Sequence, residues 1–387
     1  MNGSKGRILV LFGSISLYGH ERANIDDMEV LRERGWDILF VTHPNWGHQK
    51  IQPELERRGF AWTTATFAER FDRGINLRGY LRRFRDIVHG SWDLARLLKT
   101  YRPTHIHIGN LTWFVDFLPA LLLTRTPVIY RLGDKPADHR AAFRFFWRFV
   151  VGPRVTHFLC VSRFVCARIC ALAHVEGKTS VVYCRPPLRR APNVEERPRS
   201  SRRGLTFGYV GQISEEKGVA FLVESAIRIC ESHPNAQFLV AGGMESNEQF
   251  FCTQESRVRK AGFHERIRFL GYVEDVDGFY RDVDVHLCPS ICDEALGLTV
   301  LEAKERGVPS VVFSSGGLPE IVQHGLDGMI CAAKSSQALE AACAAYLEAP
   351  DLVASHGLEA RASLARLGVQ ELADKLDEAY ERTIFVR

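Results

Sequence analysis

Short apolar segments alternate with longer amphipathic segments along most of this chain, and this alternation limits the folds open to it. Residues 8–12 predict a buried strand, residues 13–22 a loop, residues 23–34 a helix that ends at Gly35, and residues 37–42 a second strand. A strand–loop–helix–strand order is typical of a doubly wound parallel sheet. The sequence therefore predicts an α/β fold.

One stretch interrupts the alternation. Residues 184–204 are rich in Pro, Arg and Ser and contain hardly any apolar residue, so they cannot pack and predict a linker. A chain of 387 residues suits two domains rather than one. We therefore place an N-terminal Rossmann-like domain at residues 1–185, the linker at 186–203, a second Rossmann-like domain at 204–368 and a C-terminal helix within 369–387.

The remaining elements follow from the same patterns. Residues 113–123 predict a core helix, and Ser162 predicts a helix N-cap. His105 and His107 alternate with isoleucines, so both point to one side of a strand, either as structural residues or as part of a site. Strands are predicted at 105–108, 127–130, 157–161, 206–210, 237–241, 267–270, 285–288 and 311–313, and helices of the second half at 219–230, 248–260 and 298–306.

The composition is that of an ordinary globular chain, with 46% hydrophobic and 25% charged residues. The ten cysteines form no C-x-x-C pair and several lie in apolar runs, which favours reduced, buried thiols over disulfides or a zinc site. No early segment has the pattern of a secretion signal, and no apolar run reaches the roughly 20 residues that span a bilayer. We expect a cytoplasmic chain that needs no metal ion or other cofactor and binds no nucleic acid.

Arginines and aromatic residues are concentrated in the first half, although the net charge is only +4. Helices of this composition can rest on an anionic membrane surface. Arginines on an ordinary solvated helix face are the simpler interpretation. Peripheral contact with the inner face of the membrane is therefore one of two alternatives. The two groups are Arg78, Arg82, Arg83 and Arg85, and Arg140, Arg144, Arg148 and Arg154 among Phe143, Phe145, Phe146, Trp147 and Phe149.

Residues 284–309 contain the most informative pattern. A short apolar strand ends at Pro289-Ser290, a loop carries Glu294, and the following helix carries Glu302. The first N–H groups of that helix favour an anion such as phosphate. Two carboxylates beside an anion cannot bind the anion themselves, so their natural partners are hydroxyl groups. Phosphate between hydroxyl-rich groups describes a nucleotide sugar. The N–H groups concerned belong to Gly297, Leu298 and Thr299.

This stretch resembles the E-x7-E motif of retaining glycosyltransferases with the GT-B fold, in family 4 of the glycosyl transferases group 1. The similarity includes Pro289-Ser290 before the motif and Gly-Val-Pro after it. The resemblance implies two Rossmann-like domains that face each other across a cleft, and transfer with retained anomeric configuration by front-face departure of the donor phosphate. It implies that Glu294 binds hydroxyls of the transferred sugar, that Glu302 binds ribose hydroxyls, and that Lys217 holds the diphosphate together with residues 297–299.

Other segments of the second half resemble further motifs of this family. FGYVGQISEEKGV resembles G-R-L-x-x-x-K-G, with Lys217 at its lysine and Gln212 in place of its arginine. Arg131, Arg202 or Arg203 would then supply the second cation, or the donor is held less tightly. Arg268–Val273 resembles the segment that faces the nucleotide base, where Tyr272 either stacks on the base or closes a hydrophobic edge. GGLPE, residues 316–320, resembles the GGxPE turn at the floor of the donor site.

The first half departs from the family at two places. YGHERAN resembles the GGxER opening, with Tyr18 in place of a glycine. Gly19 is then a donor-binding candidate or a plain turn glycine, and His20 and His107 are acceptor-side candidates. VIYRLGD resembles a strand after which the family often has a histidine, but Gly133 stands at that position. Arg131, Asp134 or His107 would then cover the role of that histidine.

The sequence thus predicts a retaining glycosyltransferase that moves a sugar from a UDP, GDP or ADP sugar to a hydroxyl of a glycan, lipid-linked or small-molecule acceptor. The departures at Gln212 and Gly133 favour, as an alternative, a nucleotide-sugar-binding protein without turnover. A nucleotide-sugar epimerase is a third interpretation, which the complete E-x7-E context disfavours.

Overall fold

The computed structural model describes residues 4–15, 17–45, 50–68, 77–184, 204–243, 247–368 and 371–384. The chain divides into two compact units. The first unit comprises Met1–Cys184 and Glu371–Arg387, and the second comprises Arg185–Gln370. Each unit has its own parallel sheet, so the predicted α/β class with two Rossmann-like domains is confirmed. The predicted linker at 186–203, which includes Arg202 and Arg203, lies outside the described residues.

The sheet of the first unit has the strand order β3-β2-β1-β4-β5-β6-β7, and every neighbouring pair is parallel. Its strands are apolar because helices cover both faces of a sheet of this type. The strands are β1 (Gly6–Leu11), β2 (Trp36–Thr42), β3 (Ala61–Thr64), β4 (His105–Ile108), β5 (Val128–Leu132), β6 (His157–Cys160) and β7 (Thr179–Val181).

The helices that precede residue 184 depart from prediction in two places. The first helix begins at Gly19, so the predicted loop at 13–22 is too long, because Glu21 accepts a hydrogen bond from the Tyr18 backbone N–H at 3.1 Å and caps the helix there. The predicted core helix at 113–123 is two short helices, because Pro119 cannot continue the first one. Ser162 is an N-cap as predicted, and accepts from the Val165 N–H. The helices are α1 (Gly19–Glu33), α2 (Ile51–Arg57), α3 (Leu77–Tyr101), α4 (Leu111–Asp116), α5 (Leu118–Leu123), α6 (Ala141–Phe146), α7 (Gly152–Arg154) and α8 (Arg163–Ala173), with a π-helical turn at Trp147–Val151 and a 3-10 turn at Glu176–Lys178.

The second unit repeats the arrangement with the strand order β10-β9-β8-β11-β12-β13, again all parallel. Its core includes the stacked rings of Phe207 and Phe238, whose centroids are 5.0 Å apart. The strands are β8 (Thr206–Val210), β9 (Gln237–Ala241), β10 (Ile267–Gly271), β11 (Val285–Cys288), β12 (Ser310–Phe313) and β13 (Gly328–Cys331). The helices are α9 (Val219–Ser232), α10 (Glu248–Lys260), α11 (Val276–Asp282), α12 (Leu298–Glu305), α13 (Leu318–Ile321), α14 (Ser336–Glu348) and α15 (Asp351–Arg366).

The last helix, α16 (Leu372–Thr383), is part of the first unit. The Trp36 indole N–H of β2 donates to the Asp377 carboxylate at 2.8 Å, and the Lys5 ammonium contacts the same carboxylate at 2.6 Å. The Thr383 hydroxyl lies 3.0 Å from His105 Nε2 of β4. Within the described ranges, every helix is too short or too polar to cross a lipid bilayer.

Both sheets reverse their direction of growth at one point, between β1 and β4 in the first unit and between β8 and β11 in the second. In open parallel sheets, ligands bind outside the carboxyl ends of the strands at this switch point. The loops that follow β1, β4, β8 and β11 are therefore the places where functional side chains are expected.

Candidate functional site

The switch point of the second unit brings together the loops that follow β8 and β11. Lys217 ends the first loop just before α9, and Glu294 lies in the second loop before α12. Gly218 has φ +73°, and a Cβ on it would overlap the carbonyl oxygen of Pro289. The absence of a side chain at Gly218 therefore allows the two loops to touch.

Lys217 and Glu294 form an ion pair, with 2.6 Å between Nζ and Oε1. The Ser290 hydroxyl donates to the same Oε1 atom. Burial alone would lower the pKa of Lys217, but the adjoining Glu294 carboxylate more than offsets burial and the pKa is raised. The ammonium therefore stays charged at neutral pH, and its charge balances that of Glu294.

The turn between β12 and α13 holds the backbone of Glu294 in place. The Glu294 backbone carbonyl accepts a hydrogen bond from the Gly317 N–H at 2.8 Å. Gly316 has φ +57°, and a Cβ on it would overlap this same carbonyl, so the turn requires glycine there. The Ser315 hydroxyl donates to the Ser290 carbonyl. The turn therefore fixes both the backbone of Glu294 and that of its serine partner.

The N-terminus of α12 follows directly after Glu294. Gly297 precedes the helix with φ +103° and supplies no side-chain cap, so the first N–H groups, including those of Leu298 and Thr299, have no partner within the helix. Glu302 lies one turn further along, half-buried. This end of α12 carries positive partial charge and favours an anion.

Two further predicted residues follow strands of the same sheet. Gln212 comes after β8 with an exposed side chain, and its carbonyl accepts a hydrogen bond from the Tyr209 hydroxyl at 2.7 Å. Tyr272 comes after β10 with 65% of its surface exposed. Because the strands are parallel, both residues lie at the carboxyl edge that carries Lys217 and Glu294.

The first unit places its predicted residues at its own switch point. Gly19 and His20 form the first turn of α1, and Gly133 and Asp134 follow β5. His20 Nδ1 lies 3.9 Å from Asp134 Oδ2. A Cβ on Gly133 would overlap the His20 ring, so the histidine occupies the volume that a side chain at position 133 would need.

Two candidates from the first unit are buried, contrary to the roles expected for them. Arg131 is 3% exposed and its guanidinium pairs with Asp27, with 2.5 Å between Nε and Oδ2. His107 is also buried, with Nδ1 2.6 Å from the Tyr380 hydroxyl and Nε2 3.1 Å from Asn24 Oδ1. Burial lowers the pKa of His107 to about 3, assisted by the charge of Arg131. Both ring nitrogens of His107 therefore have partners within the fold, and Arg131 is held by Asp27 and by the Cys184 sulfur; the site roles of the two residues stay predictions.

Several contacting residues were missed from the sequence. Ser290 was noted only as part of a motif, although a hydroxyl four residues before a carboxylate in a tight loop is a usable signal. The sequence signal for Asn24 and Asp27 was clearer, because these residues and His20 have the i, i+4, i+7 spacing of one helix face. A polar stripe on the buried side of a helix predicts polar partners in the sheet.

Comparison with known proteins bears on the second unit above all. Residues 193–363 match the family model described as glycosyl transferases group 1. A lipopolysaccharide core biosynthesis mannosyltransferase of Rhizobium leguminosarum bv. viciae is 31% identical over 151 residues, which are 39% of this chain and 43% of the relative. A second such mannosyltransferase, of Rhizobium meliloti, is 30% identical over 178 residues, which are 45% of this chain and 50% of the relative. The chain thus spans about half the length of the curated relatives it matches.

The solved structures resemble the whole chain. HepE of Anabaena, in complex with UDP and glucose, has a TM-score of 0.76 and 19% identity, with 96% of this chain and 98% of that chain covered. A glycosyltransferase of Rickettsia africae has a TM-score of 0.79 and 16% identity over the full length of both chains. At these identities the similarity establishes the fold, which is that of GT-B glycosyltransferases.

Proposed function

We propose that the protein transfers a sugar from a nucleotide-diphosphate sugar to a hydroxyl of an acceptor, because residues 193–363 match the family model described as glycosyl transferases group 1. The observation that carries this proposal is the Lys217–Glu294 pair, which lies at a switch point and directly precedes the uncapped N-terminus of α12. A cation and a helix N-terminus suit a diphosphate, and carboxylates suit the hydroxyls on either side of it.

The contacts of the pair leave room for both substrate groups. Glu294 uses Oε1 for Lys217 and for Ser290, so Oε2 can accept a hydrogen bond from a hydroxyl of the transferred sugar. An ammonium group has three N–H donors, so Lys217 can hold Glu294 and a phosphate oxygen together. Glu302 is assigned to the ribose hydroxyls, and Tyr272 to the base. The lysine charge then stabilises the negative charge that develops on the diphosphate as the glycosidic bond breaks.

We infer that the anomeric configuration is retained. The support for retention is the E-x7-E motif formed by Glu294 and Glu302. The Glu294 carboxylate is balanced by Lys217 and hydrogen-bonded to Ser290, an environment that suits binding, so front-face departure is favoured over nucleophilic attack by Glu294. In front-face departure, the bond between the acceptor oxygen and the anomeric carbon forms on the face from which the diphosphate leaves, and the acceptor proton passes to the departing phosphate oxygen. The anomeric configuration of donor and product, compared by NMR, tests this inference, and an inverted product would refute it.

The long helix α3 supports a membrane-bound acceptor and peripheral membrane contact. Six of its apolar residues are turned outward, with 46% to 75% of their surface exposed, while its buried face is mainly polar. An exposed apolar stripe is a binding surface in soluble proteins, and exposed arginines beside it match the charge of anionic lipid. The apolar stripe contains Leu77, Tyr80, Leu81, Phe84, Val88 and Trp92, the buried face contains Arg83, Asp86, Gly90, Ser91 and Leu94, and the exposed arginines are Arg78, Arg82 and Arg85.

Sedimentation with lipid vesicles tests this surface. We expect binding to vesicles that contain phosphatidylglycerol, weak binding to pure phosphatidylcholine, and loss of binding in Leu81→Ser/Phe84→Ser. Leu358→Ser, which replaces an exposed leucine on α15 of the second unit, is the matched control and should bind normally. Equal binding by both variants would refute the assignment.

Thermal shift and product release with UDP, GDP and ADP sugars test the transferase proposal. A UDP sugar is the first choice because HepE was solved with UDP and glucose. A donor at 100 times its Kd adds about 2.7 kcal/mol to the free energy of unfolding. Lys217→Ala and Glu302→Ala should abolish this shift, and Lys260→Ala, an exposed lysine on α10, should not. Slow donor hydrolysis should persist in EDTA, since no metal ion is invoked.

The other outcomes favour the alternatives. A shift without hydrolysis or transfer to any acceptor would favour a binding protein, and conversion of the donor sugar without an acceptor would favour an epimerase. A wild-type protein that no nucleotide sugar stabilises would refute the assignment of Glu294, Glu302 and Lys217.

A further inference from the structure

The switch point of the first unit contains a hydrogen-bonded chain of polar side chains that takes no part in the proposed donor site. His20 and Asn24 lie on one face of α1, His107 lies on β4, and Tyr380 lies on α16. Asn24, His107 and Tyr380 are buried, and their hydrogen bonds link the C-terminal helix to the first turn of α1. Asp134, which follows β5, faces the end of this chain at His20.

The contacts of Asn24 fix the direction of these hydrogen bonds. The Asn24 side chain lies 2.9 Å from the backbone carbonyl of His20, which can only accept, so the amide nitrogen must face it. Asn24 Oδ1 therefore faces His107 Nε2 at 3.1 Å, and Nε2 must carry a proton. Neutral His107 then accepts from the Tyr380 hydroxyl through Nδ1, at 2.6 Å.

The same reasoning assigns the tautomer of His20. The second N–H of the Asn24 amide points to His20 Nε2 at 3.2 Å, so Nε2 is the acceptor and the ring proton lies on Nδ1. Burial, and then the charge of Arg131, lower the pKa of His20 against the opposing effects of Asp134, Glu21 and the Gly109 carbonyl, so the ring is neutral at pH 7. His20 therefore presents an N–H donor at Nδ1 and has no free lone pair to act as a base.

This Nδ1–H group has no hydrogen-bond partner in the described part of the chain. Asp134 Oδ2 lies 3.9 Å from this nitrogen, which is too far for a hydrogen bond. The glycines that follow β4 and β5 make room for these hydrogen-bonded side chains. A Cβ on Gly109 would come within 2.8 Å of Asn24 Oδ1, and a Cβ on Gly133 would overlap the His20 ring. A buried donor without an acceptor is unfavourable unless a ligand completes it.

We propose that His20 Nδ1–H and the Asp134 carboxylate together bind one hydroxyl group of a carbohydrate substrate. A hydroxyl oxygen can accept from Nδ1–H and donate to Oδ2, so a single hydroxyl satisfies both groups. The Asp134 side chain is 78% exposed and can turn aside to admit it. Asn24 is a positioning residue that sets His20 as a donor. This inference rests on the proposed function for the presence of a sugar substrate, and it breaks no bond and moves no proton from His20.

The tautomer is tested first, on the wild-type protein. Two-dimensional NMR of protein labelled with 15N-histidine distinguishes a proton on Nδ1 from one on Nε2, and His20→Gln identifies the signal. We expect the Nδ1–H form in the wild type and a mixed or reversed signal in Asn24→Leu. An Nε2–H form in the wild type, with that proton directed to the Gly109 carbonyl, would overturn the proposal.

Kinetics then test the hydroxyl. The asparagine amide nitrogen can take the place of Nδ1, whereas glutamine reaches towards the place of Nε2. We therefore expect His20→Gln to lower kcat/KM about ten- to hundredfold and His20→Asn to restore most of it, while both keep the thermal shift with the nucleotide alone. Equal loss in both variants, or none in either, would overturn the proposal.

The same variants show where the hydroxyl belongs. Slower donor hydrolysis without acceptor would place it on the donor sugar, and a raised KM for the acceptor with normal hydrolysis would place it on the acceptor. Gly133→Ala, which displaces the His20 ring, should reproduce the loss in His20→Gln. A wild-type protein that binds no nucleotide sugar would instead remove the transferase proposal, and the NMR result would stand by itself.

Discussion

The Arg131–Asp27 pair distinguishes a structural arginine from a catalytic one. Both side chains are buried, and Nε lies 2.5 Å from Oδ2. Arg131→Met keeps the length of the side chain but removes the charge, so the Asp27 carboxylate loses its cation inside the first unit. Breaking a buried ion pair in this way costs about 3–5 kcal/mol of unfolding free energy. In a unit of about 200 residues each kcal/mol lowers Tm by about 2–4 °C, so we expect a fall of about 6–20 °C.

Thermal and urea unfolding at pH 7, followed by circular dichroism, measure this loss. Arg131→Met/Asp27→Leu removes both charges of this pair and should regain most of the stability. Arg382→Met, which breaks an exposed pair with Glu378 on α16, is the control and should change stability by less than about 1 kcal/mol. An Arg131→Met protein as stable as this control would refute the reasoning, and if it also lost sugar transfer, Arg131 would be catalytic after all.

Three further perturbations test other parts of the structure. Gly218→Ala should lower the unfolding free energy by more than about 1 kcal/mol and weaken donor binding in calorimetry, while Gly325→Ala, at φ +74° but with open space around it, should leave donor binding unchanged. Asp377→Ala leaves the Trp36 indole N–H without its acceptor, so it should cost about 1–3 kcal/mol and speed amide exchange throughout α16. Burial, and then the charge of Arg131, hold the pKa of His107 at about 3 against its ordinary value of 6.5. The stability that this shift contributes is fully present above pH 6.5 and is lost on acidification, by about 2 kcal/mol at pH 5. The unfolding free energy of His107→Gln should therefore depend less steeply on pH.

The strands were predictable where an apolar run is bounded by polar residues or glycine. The strands at Thr206–Val210, Gln237–Ala241 and Val285–Cys288 have their predicted limits, because a buried parallel strand is apolar on both faces and stands out from the loops around it. The edge strands Ala61–Thr64 and Thr179–Val181 were not predicted, since an edge strand is short and partly exposed and its pattern is weak.

The candidate site was likewise predictable from the sequence only in part. Lys217, Glu294 and Glu302 were assigned to a donor site by motif resemblance, and their donor-binding roles stay predictions. The fold shows that Lys217 and Glu294 lie in the loops that follow β8 and β11. That Lys217 pairs with Glu294 was not predictable, because the two residues are 77 positions apart and only the fold decides that their loops meet. The burial of Arg131 was missed for a related reason, since its partner Asp27 lies on another element, 104 residues away.

The two units use the same position in the same kind of sheet for different chemistry. In the second unit the switch point carries a partly exposed ion pair and an uncapped helix, which suit a charged group that enters from solvent. In the first unit it carries a buried hydrogen-bond chain whose far end is Tyr380, 273 residues beyond His107. The His20 backbone carbonyl orients the Asn24 amide, and Asn24 in turn assigns the ring proton of His20 to Nδ1. The Tyr380 hydroxyl of α16 completes the chain by donating to His107 Nδ1, which leaves the His107 Nε2–H to hold Asn24 Oδ1. A site that donates to a hydroxyl needs a fixed tautomer, and here a local contact sets it while the C-terminal helix reinforces it.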